Sequence, residues 1–173
     1  MCIKGRLILK GRVSILEGAV FNVAHGAYVT IGDGVVINSR LNLYCSKSIY
    51  IGDKTRISWE CQIFDTSFHY YRDKDGNVNN CNGSVQIGNQ CWVGNRTTIS
   101  KGTKLPDCSI VASNSLVNKD FSNCNDGIIV GGMPAKVIKD GGCMRIFDVR
   151  TERKLDSYFE LNTEKESVFL NEI

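Results

Sequence analysis

The apolar positions of this chain fall on a six-residue step. Ile31, Ile37, Leu43 and Ile49 follow it. Ile51, Ile57 and Ile63 form a second run, and Ile87, Val93, Ile99, Leu105, Val111 and Val117 a third. Six matches neither the period of about 3.6 that makes a helix amphipathic nor the alternation of about 2 of a strand. Fixed-period self-similarity marks a solenoid, in which each repeat buries its apolar residue only by stacking on its neighbours. The residue after each apolar one is often small, as at Gly32, Gly52, Gly88, Gly94, Ser58, Ser100 and Ala112. Small residues there are expected where the backbone turns sharply. The pattern predicts short β-segments joined by tight corners and coiled into a parallel β-helix. Upstream, the pairs Val13/Ile15, Phe21/Val23 and Val29/Ile31 recur every eight residues, which predicts longer sides in the first coils.

The step stops at Ile63 and resumes at Val85. Between them lies the polar segment DTSFHYYRDKDGNVNNCNGS. Loops longer than about 12–15 residues inside a compact domain are usually functional or disordered. This one holds a histidine and several aromatics, so function is expected. The period runs on to Asn118, followed by the glycine-rich GIIVGGMPAKVIKDGG, where Pro134 marks a change of direction. Residues 1–140 therefore read as one β-helix domain with an inserted loop at 64–84, and residues 141–173 as a tail. The tail stretch RTERKLDSYFELNTEKE is charged, glycine-free and helical in character, and is expected to cap the last coil and protect its open edge.

With 173 residues, 42% hydrophobic and 23% charged, the chain has the size and balance of a single globular domain. Its net charge of +3 comes from scattered basic residues, so no nucleic-acid footprint is indicated. No apolar run approaches the roughly 18 residues of a membrane span. Met1 to Lys10 lacks the apolar core of a signal peptide, so a cytoplasmic location is expected. The eight cysteines contain no CxxC or other tight ligand spacing. They read as small, reduced packing or turn residues, and no metal site is expected.

The repeat has the form [LIV]-[GAES]-x-x-[STACV]-x, as in IGDGVV, IGDKTR, VGNRTT and ISKGTK. The later half adds, in order, IGNQCWVGNRTTISKGT from Ile87, SIVASNSLVNKD from Ser109 and GGMPAKVIK from Gly131. Over residues 13 to 140 this resembles the hexapeptide-repeat (left-handed β-helix) acyltransferases, and in its second half their sugar O-acetyltransferase branch. The resemblance implies an all-β, left-handed β-helix of about 18 residues per coil. It also implies a homotrimer with sites between subunits, and acetyl-CoA as co-substrate.

Acyl transfer from a thioester to a hydroxyl needs a base for the hydroxyl proton and donors for the oxyanion. Imidazole suits the first task, because histidine ordinarily titrates near neutrality. The chain has two histidines, His25 and His69. His69 sits in a D-x-x-x-H setting like that of the family's catalytic histidine, and the resemblance carries the general-base role to it. His25, beside Gly26, reads as an exposed turn residue. Asp65 either orients the imidazole or binds an acceptor hydroxyl, or it closes the turn where the coil ends. Asn38 aligns with an asparagine that some family members use near the acceptor.

For the cofactor, Trp92 offers a flat apolar face with one donor, suited to a pantetheine arm or a sugar ring, or else simple packing beneath the loop. By resemblance, Gly94 and Asn95 lie beside the thioester, where a backbone N–H is a candidate oxyanion donor. Ala112 and Ser113 contact pantetheine, although Asn114 stands where a glycine is usual. Asn118 and Lys119 of the NKD segment, with Lys136 and Lys139, face the phosphates. The expected activity is acetyl transfer to a sugar hydroxyl of a cell-surface polysaccharide or its precursor, by direct attack without an acyl-enzyme. Two alternatives stay open at this point: N-acetylation of an amino nucleotide sugar, and a non-catalytic β-helix scaffold. A zinc-dependent carbonic-anhydrase-like site needs three histidines, and the chain has two.

Overall fold

The computed structural model describes residues 1–172, and in them short parallel strands wind into a left-handed β-helix. Each coil contributes a strand to each of three sides. The first side stacks Cys2–Ile3, Val20–Val23, Asn42–Cys45, Gln62–Phe64, Thr98–Ile99 and Leu116–Val117. The second stacks Arg6–Leu9, Tyr28–Ile31, Ser48–Ile51, Val85–Ile87 and Lys104–Leu105. The third stacks Val13–Ile15, Val35–Ile37, Arg56–Ile57, Trp92–Val93, Ile110–Val111 and Ile129–Gly132. The chain thus turns through a first corner between sides one and two, a second between two and three, and a third on its way back to side one.

On the second side Leu7 pairs with Val29, Val29 with Ile49, Ile49 with Val85, and Ile87 with Leu105. The first coils are the longer ones, as the eight-residue spacing predicts. The jump from Ile49 to Val85 carries a surplus that leaves the prism at the first corner as the 65–84 loop. Coiling starts before Val13, because Cys2–Ile3 and Arg6–Leu9 already pair with the coil above. Their residues are exposed or half-buried, with no further coil among the described residues stacked below them, and they carry no clear apolar step.

The six-step residues fill the prism: Ile31, Ile37, Leu43, Ile49, Ile51, Ile57, Ile63, Ile87 and Ile99 are fully buried. Each such side chain contributes about 1.5–3 kcal/mol relative to exposure. Between them, on the inner side of the corners, lie Thr55, Thr97, Thr103, Ser109 and Ser115, also buried. Their hydroxyls donate to the carbonyls of Gly88, Ala112, Val117, Pro106 and Ala112 respectively. Cys61 and Cys91 occupy the same kind of position, and burial pushes their thiols up to about 11 and about 12.

The glycines after the apolar residue have a different cause from the one the sequence suggests. The sharp turn falls two residues later, at Gly34, Lys54, Gln90 and Cys108 on the second corner and at Arg40, Glu60, Arg96 and Asn114 on the third, all with positive φ. Gly52 is excluded from bearing a side chain by its neighbour: a Cβ there would lie 2.5 Å from the Gly88 carbonyl in the next coil. Along the second corner runs a ladder of carboxylates and amides. Asp33 accepts from Arg12 N–H, Asp53 from Asp33 N–H, Asn89 from Asp53 N–H and Asp107 from Asn89 N–H, at 2.8–2.9 Å.

The open edge of side three is covered by Ala135–Lys139, which folds back antiparallel on Ile129–Gly132 after Pro134, and not by the tail. The tail runs down the outside of that side. There Arg145 lies over the rings of Trp92 and Phe147, and Arg56 over Phe147. Helix α1, Val149–Leu161, follows, capped by the Asp148 carboxylate accepting from Thr151 N–H at 2.8 Å. None of its residues is buried.

Gly52→Ala is expected to force coils apart at the second corner and to cost about 1–3 kcal/mol. A thermal melt of the variant checks it, and an unchanged midpoint would contradict the close-approach account.

Candidate active site

The interrupting segment is an ordered hairpin built on the first corner. Thr66 bridges Asn82 at its base and Arg72 bridges Val78 near its tip. The tip is closed by Asp73, whose carboxylate accepts from the N–H groups of Asp75 and Asn77. Bonds from the Asn77 side chain and these amides hold the Asp73 carboxyl below the usual carboxylate range. Lys101, one coil above, donates through Nζ to Ser67 Oγ at 3.2 Å and to the Asn80 carbonyl at 2.8 Å, tying both strands of the hairpin to the prism.

His69 follows directly on this base. Its N–H donates to the Ser67 carbonyl, its side chain is exposed, and among the described residues no group hydrogen-bonds its imidazole. Phe68, held at positive φ and still exposed, closes an edge-to-face trio with Tyr44 and Phe64, at ring centroids of 5.5–5.8 Å. Tyr44 and Phe64 are register partners on the outer face of side one.

Asp65 takes the turn-closing role of its two alternatives. It is fully buried, and its oxygens accept from Ser46 N–H at 2.6 Å, Lys47 N–H at 2.7 Å and the Cys45 thiol at 3.3 Å. These three bonds tie the carboxylate to its own corner. Burial first, and then this carboxylate, push the Cys45 thiol up to about 12.

The third corner gathers a second group. Backbone bonds from Asn38 to Ile57, Ser58 to Val93, Gly94 to Val111 and Ala112 to Val130 stack these residues into one column. Beside it, Ser113 Oγ donates to Asn95 Oδ1 at 2.6 Å. The Gly94 N–H is committed to the Val111 carbonyl at 2.8 Å, so it is not available as an oxyanion donor. A Cβ on Gly94 would lie 2.6 Å from Ser113 N. Asn114 adopts φ +57, a conformation asparagine tolerates, and so keeps the corner geometry that a glycine would give. Asn38 sits in the column two coils below Gly94, with its amide donating to the Ile57 carbonyl at 3.2 Å.

The remaining candidates divide. Lys136 is exposed and pairs in register with Gly131, at the top of the third-corner column. Lys139 pairs with Ile129 at the far end of the same strand. Asn118 and Lys119 lie instead on the first corner, above Ser100 and Lys101. There Lys104 bonds Asp120 at 2.8 Å and holds its carboxyl down at about 2. Trp92 packs beneath the tail, not beneath the loop. Arg145 covers its ring, and its Nε1 donates to Ser58 Oγ at 3.4 Å.

One chain therefore separates the two groups. From Asn95 to Ser100 the chain crosses side one, which at about 3.3 Å per residue is roughly 16 Å. His69 is on one corner, and Gly94, Asn95, Ala112, Ser113 and Lys136 are on another. Sequence reasoning missed Tyr44, Phe64 and Lys101. The first two carry the signal of outward aromatics alternating with buried Leu43 and Ile63. Lys101 carries none.

No family model matches the chain. The galactoside O-acetyltransferase of Escherichia coli strain K12 is 24% identical over 117 residues, covering 68% of this chain and 56% of that protein. A 24.8 kDa protein from the cps region of Klebsiella pneumoniae is 32% identical over 140 residues, 79% of this chain and 59% of its own length. The chain thus spans little more than half of these curated relatives. Among solved structures, the polysialic acid O-acetyltransferase OatWY superposes with a TM-score of 0.65 at 23% identity, covering 88% of this chain and 78% of that one. A hexapeptide-repeat acetyltransferase of Vibrio cholerae, solved with acetyl coenzyme A, gives 0.61 at 27% identity, covering 76% and 70%.

Asp65→Ala should leave the Ser46 and Lys47 N–H groups and the buried Cys45 thiol without their acceptor at the hairpin root and lower stability by about 2–4 kcal/mol. Denaturant unfolding measures it, and a variant as stable as wild type would return Asp65 to the list of ligand-binding candidates.

Proposed function

The chain belongs to the hexapeptide-repeat, left-handed β-helix acyltransferases, and from that premise we propose that it transfers an acetyl group from acetyl-CoA to a sugar hydroxyl. The observation that carries this reading is the division of the motif residues over two corners of an otherwise regular prism. A histidine whose imidazole has no hydrogen-bond partner among the described residues stands on the first corner, and the Gly94–Asn95–Ala112–Ser113 column stands on the third. In a homotrimer the first corner of one copy meets the third corner of the next, and the cleft between them holds the thioester.

His69 takes the hydroxyl proton as the acceptor oxygen forms its bond to the acetyl carbonyl carbon. The tetrahedral intermediate then collapses with loss of the coenzyme A thiolate, which recovers the proton from the imidazolium. With Gly94 N–H engaged in the coil, the oxyanion donor is assigned to the Asn95 side-chain amide. Its Oδ1 accepts from Ser113, which turns the opposite, donating end of the amide outward. Lys136, at the head of the same column, supplies a cation for a coenzyme phosphate. The buried cysteines take no part, because their thiols are held protonated by burial.

Replacing His69 by Ala is expected to lower kcat by about 10²–10⁴-fold. The melting temperature, and its rise on adding acetyl-CoA, should stay as in wild type. Steady-state kinetics on a panel of galactosides and sialic acids reads the first, thermal shift the second. A variant within a few-fold of wild-type kcat would remove the base role.

The shared cleft has its own test. A His69→Ala chain and a Ser113→Trp chain, each inactive alone, should regain activity when co-assembled in one purified oligomer. Absence of any recovery would place both halves of the site in a single chain.

A further inference from the structure

A concave surface on the first corner, below the hairpin that bears His69, takes no part in the proposed transfer. Two adjoining hollows of about 700 and about 490 Å³ share Lys4 and His25. Arg6 and Tyr28 line the first; Asn22 and Tyr44 line the second. Tyr44 also belongs to the aromatic trio with Phe64 and Phe68, so the second hollow shares one wall residue with the base of the hairpin. Asn22, Tyr44 and Phe64 are register partners on successive coils, which makes the run a straight outward stripe along the solenoid axis.

The charge of this groove is one-sided. Lys4 and Arg6 are exposed, form no ion pair among the described residues, and face no carboxylate in the lining of either hollow. A groove lined by two uncommitted cations and by Tyr28 and Tyr44 suits a ligand that alternates anionic groups with flat, weakly polar rings. Its length of several coils, at about 4.8 Å each, exceeds a single sugar ring.

We propose that this groove is the acceptor subsite for an extended acidic glycan, a carboxylate-bearing sugar chain. The chain lies along the first corner, with one ring stacked on the Tyr44–Phe68 platform and its reactive hydroxyl presented to His69. The proposal rests on the acetyltransferase reading for its purpose, but not for its measurement. His25 becomes a polar contact of the groove, and the hairpin a clamp at its catalytic end.

The test is calorimetric binding to the intact His69→Ala protein, which retains the groove without turnover. The probes are sialic acid oligomers and polygalacturonate fragments, set against maltohexaose. At least one acidic probe should bind more than tenfold tighter than maltohexaose and weaken as salt is raised. It should lose roughly tenfold in affinity in Lys4→Ala/Arg6→Ala and again in Tyr44→Ala, with Lys4→Arg close to wild type. Equal binding of the neutral probe, no binding of any acidic probe, or indifference to the Lys4/Arg6 change would overturn it. Acidic-glycan binding without acetyl transfer by wild type would sink the enzymatic reading and leave the groove. Transfer to small sugars that is insensitive to the groove variants would do the reverse.

Discussion

The spacing between stacked coils governs this molecule. Parallel strands approach to about 4.8 Å, and a prism whose three sides share that spacing leaves room for only one or two apolar side chains per side per coil. Everything regular in the sequence follows from that limit. The six-step is the chain's passage from one side to the next. The small residue after it marks where the next coil's backbone comes too close for a Cβ, as between Gly52 and Gly88. The inner hydroxyls and thiols sit where a corner admits only a small group, and each buried polar atom among the described residues finds a partner.

This is also why the fold could be read from the sequence and much of the site could not. Ile31, Ile57 or Val93 repeats because its environment repeats, and a repeating environment leaves a repeating residue. Site residues have singular environments. Asp65 was ambiguous because a carboxylate beside a turn and a carboxylate beside an imidazole leave the same letter at the same distance. Only its bonds to Ser46, Lys47 and Cys45 separate the two. Trp92 pointed to a ligand by its chemistry, yet its ring is met by Arg145, some fifty residues further along the chain, a pairing no local pattern announces. In the sequence Gly94 reads as a small residue at a sharp turn, whereas the backbone of the next coil at Ser113 leaves no room for a Cβ there, and the commitment of its N–H to Val111 depends on a coil that the hexad describes only in the abstract.

Under the proposed mechanism, the separation of His69 from the third-corner column makes the reaction depend on assembly. A free chain would then carry the base on one corner and the proposed thioester cleft on another. On the same reading, a neighbouring copy orients the imidazole, because the Asp65 carboxylate already accepts from Ser46 and Lys47 N–H within its own corner.

The ladder at the second corner passes from Asp53 to Asn89 as evenly as it passes from Asn89 to Asp107, although a whole hairpin intervenes in the first interval and not in the second. The frame is indifferent to what is spliced into its opposite edge. Descent could therefore lengthen, shorten or exchange that hairpin without shifting a single rung. Substrate preference in such a protein can drift quickly while its architecture stands still.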